Sequence, residues 1–598
     1  MNPSRNIFIE NGDPELMENA ARIFLERLAD RKCAIETFLT LKVDPKLPRE
    51  GFRIGSCFGG KEKAVKDSEL AEKQLYDAIG FKQLMEHGIF VAGGSESAVL
   101  YGLGKLLRTG VYKEGKFTPG AWRGTSAPAK PFRAVYLASH FYNFHHCAPL
   151  EEMKKYLEDL ALLGFNALKL NFPASLFSSD DKPSRLLKFG IGGHDLYYLA
   201  GGPEERDRTA KRLTELYLYG KKLGMKAIAN ATLTLGFPDT PAELRAVPPM
   251  SSAFPYDVCP SAPGGLELIL KNNEKRFRVA AFHFKPDYFI FWPYDEGGCA
   301  CPKCRPWGCN GMFRTAGKMV EFCRKFFPEA KFIYGTWLFD HKNEGEWKGL
   351  YEHFAKGEGE WCDMLLADSL GDFPAFPLEH GVPDGKMLIT FPEVSMWGRY
   401  PWGAFGAIAM PEHYSRIFGQ SEQISSGGEL YSEGIFEDVN KALFASFFWS
   451  GNNEWKEPLR EYCRYELLSE DTEEFIELIR ALERSHAGVR FDICLADDNE
   501  HFAWKLKLPE NGLPEAASDL EKFRRFEGKL SPLARGTWRW RQLMIRAEMD
   551  NELSHCCGKS TEKLESLLEE LEKMYRIDVA RALPRVAPPT RKYLSTSL

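Results

Sequence analysis

Short apolar runs and longer amphipathic stretches alternate through the middle of this chain. The apolar runs fall at Ala134–Ser139, Asn166–Asn171, Lys226–Asn230, Tyr288–Trp292, Phe332–Trp337, Met364–Asp368, Met387–Phe391 and Glu429–Ser432. Between them, apolar residues recur at helical spacing in Leu150–Leu163, Arg206–Leu223, Gly264–Val279, Gly311–Phe326, Glu346–Lys356 and Pro411–Phe418, and Glu437–Trp449 closes the series. Strands followed by helices at this rhythm predict a parallel sheet, because parallel neighbours need a crossover connection. Eight such units over about 320 residues fit an α/β (β/α)8 TIM barrel with long loops. An open doubly wound sheet is the alternative for the same pattern.

The flanks follow other patterns. Residues 1–126 read as a small α+β domain: strand-like Asn6–Glu10, an amphipathic helix from Pro14 to Arg31, strands at Phe52–Gly55 and His87–Ser95, and a helix over Ser97–Leu107. Gly93-Gly94 lacks the Lys-Ser/Thr tail of a phosphate loop and reads as a plain turn. Ala127-Pro-Ala-Lys-Pro131 is a short linker, and the barrel is expected over residues 131–451. Residues 452–598 turn helical and charged, with long amphipathic stretches at Glu457–Arg484 and Ser560–Arg576, and form a helical C-terminal domain.

Composition narrows the function classes. The 598 residues suffice for two to four domains, and 44% apolar with 27% charged residues is ordinary for a globular protein. A net charge of -6 argues against nucleic acid or an anionic membrane surface as partner. No run of 18 apolar residues is present, so no membrane span is expected. The N-terminus has no signal-peptide core, and the 14 cysteines are spread thinly, several inside predicted helices and strands. Reduced thiols and a cytoplasmic location are the expectation, with secretion or a periplasmic location after loss of a leader as the alternative. The helical C-terminal domain leaves homo-oligomerisation open.

The chemistry concentrates at Tyr288-Phe-Ile-Phe-Trp-Pro-Tyr-Asp-Glu-Gly-Gly-Cys299, an apolar strand ending in two adjacent acids. Neighbouring carboxyl groups repel, so the proton affinities of Asp295 and Glu296 are expected to separate. One can then stay protonated as a general acid while the other stays charged, the division that glycosidic bond cleavage uses. Sequential residues on a strand face opposite ways, and Gly297-Gly298 offers the bend that would aim both inward. Barrel active sites sit at the C-terminal strand ends. Polar residues recur there: His140, Tyr142 and Asn143 after the first strand, Asn171, Asn230, Trp337, Asp340, Asp368, Glu393 and Glu433. Glu296 could alternatively pair with Glu393 or Glu433 across the mouth, where carboxyl groups about 5 Å apart imply retention of configuration and about 6.5–9.5 Å inversion. Glu437 and Asp438 read as helix-capping acids. Tyr294, Trp337 and Trp397 are candidate sugar platforms, Trp337 foremost. His145 and His146 read as surface residues.

Cys299, Cys301, Cys304 and Cys309 follow the acids at once. Their spacing suits a structural zinc that would stiffen the loop beside the acid pair; a loop of buried or redox-active thiols is the alternative. No cofactor is expected for catalysis itself.

Three segments carry a resemblance. Gly88-Ile-Phe-Val-Ala-Gly-Gly-Ser-Glu-Ser-Ala-Val-Leu-Tyr-Gly-Leu-Gly-Lys-Leu-Leu107 resembles the end of the small domain that precedes the barrel in β-hexosaminidases (glycoside hydrolase family 20) and α-glucuronidases. Phe132-Arg-Ala-Val-Tyr-Leu-Ala-Ser-His-Phe-Tyr142 is similar to the first barrel strand of hexosaminidases, whose leading Arg holds sugar hydroxyls; the resemblance implies Arg133 as a substrate contact. His140, Asn171, Tyr294, Trp337, Asp340, Glu393 and Trp397, at or near the catalytic strand ends, are the other candidate substrate contacts. Tyr294-Asp-Glu-Gly-Gly298 matches the position and order of the hexosaminidase acid pair. The likeness spans roughly residues 80–450 in architecture. It departs where the usual His-x-Gly-Gly becomes Phe-Trp-Pro-Tyr and in the cysteine cluster, which is similar to a Cys-x-Cys-x-x-Cys element of more distant bacterial glycosidase-like proteins. The resemblance implies an exo-acting N-acetylhexosaminidase-like enzyme on an oligosaccharide or glycoside substrate. Glu296 would protonate the glycosidic oxygen and Asp295 orient a 2-acetamido group that attacks the anomeric carbon. The alternatives are an α-glucuronidase-like or other two-carboxylate glycosidase, with Glu433 as base, and a barrel that binds carbohydrate without turnover.

Overall fold

The computed structural model describes residues 6–56, 88–139, 144–170, 202–237, 239–248, 256–294, 297–369, 371–394, 406–488, 490–495, 502–507, 512–556, 561–574 and 576. Eight parallel strands close into a barrel: β1 (Phe132–Leu137), β2 (Ala167–Leu170), β3 (Lys226–Asn230), β4 (Tyr288–Phe291), β5 (Lys331–Gly335), β6 (Met364–Asp368), β7 (Met387–Phe391) and β8 (Gly427–Ser432), each paired with its sequence neighbours and β8 with β1. Closure excludes the open doubly wound sheet. The strands read as near-continuous apolar runs because both faces are covered, one by the barrel interior and one by the surrounding helices.

The strand registers stack inward side chains in layers of four from alternate strands. Ala134, Ile228, Ile333 and Ile389 form one layer, from the odd strands. The even strands place Lys169, Ile290, Leu366 and Glu429 in the next. Lys169 Nζ lies 3.1 Å from Glu429 Oε1, with both side chains at most 2% exposed. The ammonium also lies 3.9 Å from the Tyr136 ring centroid and 5.2 Å from that of Trp292. Burial raises the Glu429 carboxyl and Lys169 opposes the rise. A charge pair among isoleucines persists because each partner compensates the other's lost hydration. Tyr136, Asn230, Gly335 and Phe391 form the layer nearer the mouth.

The small N-terminal domain is a five-stranded sheet ordered Ile7–Ile9, Leu39–Val43, Ile89–Gly93, Phe52–Ser56, Gly124–Ser126. It is backed by helices Pro14–Asp30 and Glu96–Thr109, the second capped by Ser95, whose hydroxyl accepts from the Ala98 amide. The strand Leu39–Val43 was absent from the sequence reading. In the C-terminal region the expected helix Glu457–Arg484 is two helices, Lys456–Glu466 and Thr472–Gly488, broken where Leu468 adopts a left-handed φ of 52°. A two-stranded antiparallel ribbon, Arg490–Leu495 with Phe502–Lys507, interrupts the helices. A cavity of about 390 Å³ lies at the seam between the small domain, the outer helices and the C-terminal helices. Its charges pair among themselves, Lys105 and Arg108 with Glu461 and Arg539 with Asp438 and Asp159.

Candidate active site

Beyond the inner layers, the strand ends build a mouth of rings and carboxylates. Trp292 follows β4, Trp337 follows β5, Asp368 ends β6, Glu393 follows β7, and Tyr431 and Glu433 end and follow β8. The Trp292 and Trp337 rings lie 27° from parallel with centroids 6.0 Å apart, and Trp292 packs on Phe391 at 4.7 Å. Room for Trp292 comes from Gly335, where a Cβ would sit 3.2 Å from the indole and 2.9 Å from Phe291 O. Tyr136 meets Tyr431 edge-on at 5.2 Å. Aromatic faces beside carboxylates suit a pyranose, which offers apolar C–H faces and a rim of hydroxyls.

The mouth carboxylates are buried. Asp368 accepts from the Leu338 amide at 3.2 Å, and burial raises its proton affinity. Glu393 Oε1 accepts from Trp337 Nε1 at 3.3 Å, and its backbone bridges to Tyr431. Glu433, 3% exposed, accepts from the Tyr431 hydroxyl at 2.7 Å. Burial first, and then Glu433, raise the Tyr431 phenol far above its ordinary value, so it stays a donor.

The turn that carries Glu433 is clamped from behind. Ser432 Oγ donates to Glu437 Oε1 at 2.5 Å, and the Gly434 amide donates to the same oxygen at 2.9 Å. Lys441 Nζ lies 3.5 Å from Glu437 and donates to Gly434 O and Tyr156 Oη. His145 Nε2 meets Ser432 Oγ at 3.0 Å; burial, with Lys441 and Arg212 nearby, keeps its imidazole neutral. His145 is therefore buried, contrary to its reading as a surface residue. Glu437 is the N-cap residue and Asp438 lies in the first turn of the helix Asp438–Ser450, as expected, but their carboxylates face other elements: Asp438 accepts from Tyr156, Tyr462 and Arg539. Residues 432–441 of the clamp are local to one another, but His145 and Tyr156 join them from the other side of the barrel's closing seam, which nothing local in the sequence marks.

Asp295 and Glu296, with His140, Asn171 and Trp397, lie outside the described residues. The residues bracketing the acid pair are described. Tyr294 has a left-handed φ of 56° and Gly297 one of 100°. A Cβ on Gly297 would fall 1.7 Å from Asp257 Oδ2, an oxygen that accepts from Thr234 Oγ1 at 2.9 Å. Left-handed dihedrals thus stand on both sides of the pair, at Tyr294 and Gly297.

Two predicted substrate contacts belong to the loop framework instead. Tyr294, 3% exposed, gives its hydroxyl to Glu346 Oε1 and accepts from Asn343. Glu346 also accepts from the Gly308 amide at 2.8 Å, and burial pushes its carboxyl up to about 7. Asp340 is exposed and caps the helix Glu346–Ala355 by accepting from the Glu346 amide at 2.6 Å.

The expectation for Arg133 fails on geometry. It lies near the N-terminal end of β1, alternating outward from Phe132 and Ala134, and is 1% exposed. Its guanidinium donates to Gly164 O at 2.7 Å, Lys130 O at 2.9 Å and Glu50 at 3.1 Å, under the small domain and far from the strand ends.

The cysteine set also changes. Cys299, Cys301 and Cys304 gather with Cys259, not Cys309, and the four sulfurs lie within 4.8 Å of one another. Cys309 packs instead beside Gly349 and Glu346.

No protein-family model matches this chain, and no curated protein does. Solved structures do. A family 89 glycoside hydrolase from Clostridium perfringens, in complex with 2-acetamido-1,2-dideoxynojirmycin, superposes with a TM-score of 0.58 at 12% identity over 93% of this chain and 65% of its own. The family 89 enzyme of that organism with two glutamates replaced by glutamine, in complex with its substrate GlcNAc-α-1,4-galactose, gives 0.59 at 11% identity. The chain spans just under two thirds of those enzymes. A family 115 4-O-methyl-α-glucuronidase with specificity for decorated arabinogalactans gives 0.54 at 11% identity, over 98% of this chain and 80% of its own. A family 138 enzyme targeting pectin rhamnogalacturonan II gives 0.53 at 10% identity, over 97% and 72%. The chain has the fold of these glycoside hydrolases.

Proposed function

We propose that this protein is a glycosidase acting on glycans that carry N-acetylhexosamine, with Glu296 as general acid and Glu433 as the second carboxylate. The observation that carries the reading is Glu433: buried, held by the Tyr431 hydroxyl, and at the C-terminal end of β8. In an eight-stranded cylinder β8 stands opposite β4, the strand that Asp295 and Glu296 follow. A donor to Glu433 favours its charged form, as a base or nucleophile requires, whereas an acid beside a second carboxylate is held protonated. The likeness to a family 89 enzyme whose substrate complex was obtained with two glutamates replaced supports a pair of glutamates and an N-acetylglucosamine ligand.

The adjacency of Asp295 and Glu296 favours a second reading of the same site, in which the substrate's acetamido oxygen attacks and Glu433 only binds sugar. Aryl N-acetylglucosaminides, N-acetylgalactosaminides and glucuronides of both anomers, assayed with Glu296→Gln, Glu433→Gln and Asp295→Asn, separate the readings. Two-carboxylate chemistry predicts that Glu433→Gln lowers kcat by about 10²–10⁴-fold, the range of a positioned acid or base. Substrate assistance assigns that loss to Asp295→Asn. Turnover of an accepted substrate that survives Glu296→Gln undiminished would remove both. Binding without hydrolysis across the panel would replace them with a carbohydrate-binding role, and hydrolysis of glucuronides alone would move the substrate class to uronic acids.

A further inference from the structure

The geometry points to a structural zinc site formed by Cys259, Cys299, Cys301 and Cys304, which fastens the loop after β3 to the loop after β4. Four thiols of one chain converge here from two loops. Cys259 Sγ lies 3.8 Å from Cys301 Sγ and 4.0 Å from Cys304 Sγ, and all four sulfurs fall within 4.8 Å of one another. A tetrahedron of Zn–S bonds of about 2.3 Å has S–S edges of about 3.8 Å, close to the separations of Cys259 Sγ from Cys301 Sγ and Cys304 Sγ. A sulfur-only tetrahedral set selects a soft, four-coordinate metal over hard oxygen-seeking cations.

Ser261 Oγ lies 3.2 Å from Cys304 Sγ, placed to orient that sulfur as the groups around a metal's ligands do. Cys301-Pro-Lys-Cys304 folds as a tight turn, with the Cys304 amide donating to Cys301 O at 2.9 Å. Three of the four cysteines are buried and none is in a disulfide. Four protein ligands leave no open position, so the ion would carry structure rather than chemistry. What it would hold is specific: the strand of loop running from Asp295 and Glu296 to Cys304. That loop is already tied to its neighbour by Gly298 N–H to Asp257 Oδ2 at 3.3 Å and by Ala300 N–H to Val247 O at 2.6 Å. This inference stands on the cysteine geometry alone and is independent of the sugar the mouth accepts.

Elemental analysis of the purified full chain is expected to find one zinc per molecule. Cys259→Ser is expected to lose it and Cys309→Ala to retain it, which separates this set from the contiguous Cys299, Cys301, Cys304 and Cys309. Should Cys259→Ser not fold, X-ray absorption at the zinc edge of the wild type decides, with four sulfur neighbours at about 2.3 Å expected. Protein purified without chelator that contains no stoichiometric metal, zinc bound through nitrogen or oxygen, iron in place of zinc, or zinc lost from Cys309→Ala but kept by Cys259→Ser would each overturn the assignment.

Discussion

The Tyr431 hydroxyl donates to Glu433 Oε1 across 2.7 Å, linking a residue of β8 to one in the turn that follows it. This bond stabilises the ionised carboxylate. Tyr431→Phe removes the donor without changing the ring, so the proton affinity of Glu433 rises. The acidic limb of the kcat/KM profile is expected to move to higher pH, with a loss at the optimum of about 10- to 100-fold, the worth of a hydrogen bond to a charged group. Glu433→Gln should cost more and abolish that limb. A pH–rate profile for Tyr431→Phe that superposes on wild type would separate the tyrosine from the chemistry.

Inside the barrel, breaking one half of the Lys169–Glu429 pair leaves an uncompensated charge among apolar side chains. Lys169→Met is expected to lower unfolding stability by about 3–5 kcal/mol, whereas Lys169→Met with Glu429→Leu should recover most of the loss. Urea titration of the two variants and the wild type measures both quantities. Equal destabilisation by the single and double changes would show that packing, not charge, dominates.

Glu346 predicts a pH dependence of stability. Its folded-state proton affinity is raised, from 4.5 to about 7, so the folded chain binds more protons than the unfolded one between those values. Stability contributed at this site is therefore present at low pH and falls as pH rises from about 4.5 to 7, levelling above. Glu346→Gln keeps an acceptor and a donor and should flatten that segment of the stability profile, measured as the urea midpoint against pH.

Arg133 offers a test of placement. Arg133→Lys should lower Tm by several degrees, because a lysine cannot satisfy Gly164 O, Lys130 O and Glu50 together, while KM for any accepted glycoside stays unchanged. A raised KM with unaltered Tm would return this residue to the sugar site.

The barrel was legible because each strand and its following helix repeat one local pattern, and Lys226–Asn230, Met364–Asp368 and Met387–Phe391 begin and end where periodicity places them. Inward positions such as Trp337, Glu393 and Glu433 followed from strand ends alone. Features assembled from distant segments were not legible. Cys259 stands 40 residues before Cys299 and joins its cluster only through loop packing. His145 reaches Ser432 across the barrel's closing seam. Arg133 was misplaced because a resemblance in residue order carries no information on which face of a strand a side chain takes. The ribbon Arg490–Leu495 with Phe502–Lys507 was hidden inside a charged, helix-rich region.

The Lys169–Glu429 pair also bears on how the cylinder shuts. Its members stand on β2 and β8, either side of β1 and 260 residues apart, so they can meet only once the last strand has docked beside the first. A final strand that slid two residues along its neighbour would strand an ammonium and a carboxylate in hydrocarbon, a penalty that a ring of isoleucines alone would not impose. The pair thus penalises a shifted alignment at closure and favours the one in which the mouth residues carried on β8 stand in register with those of β1 and β7.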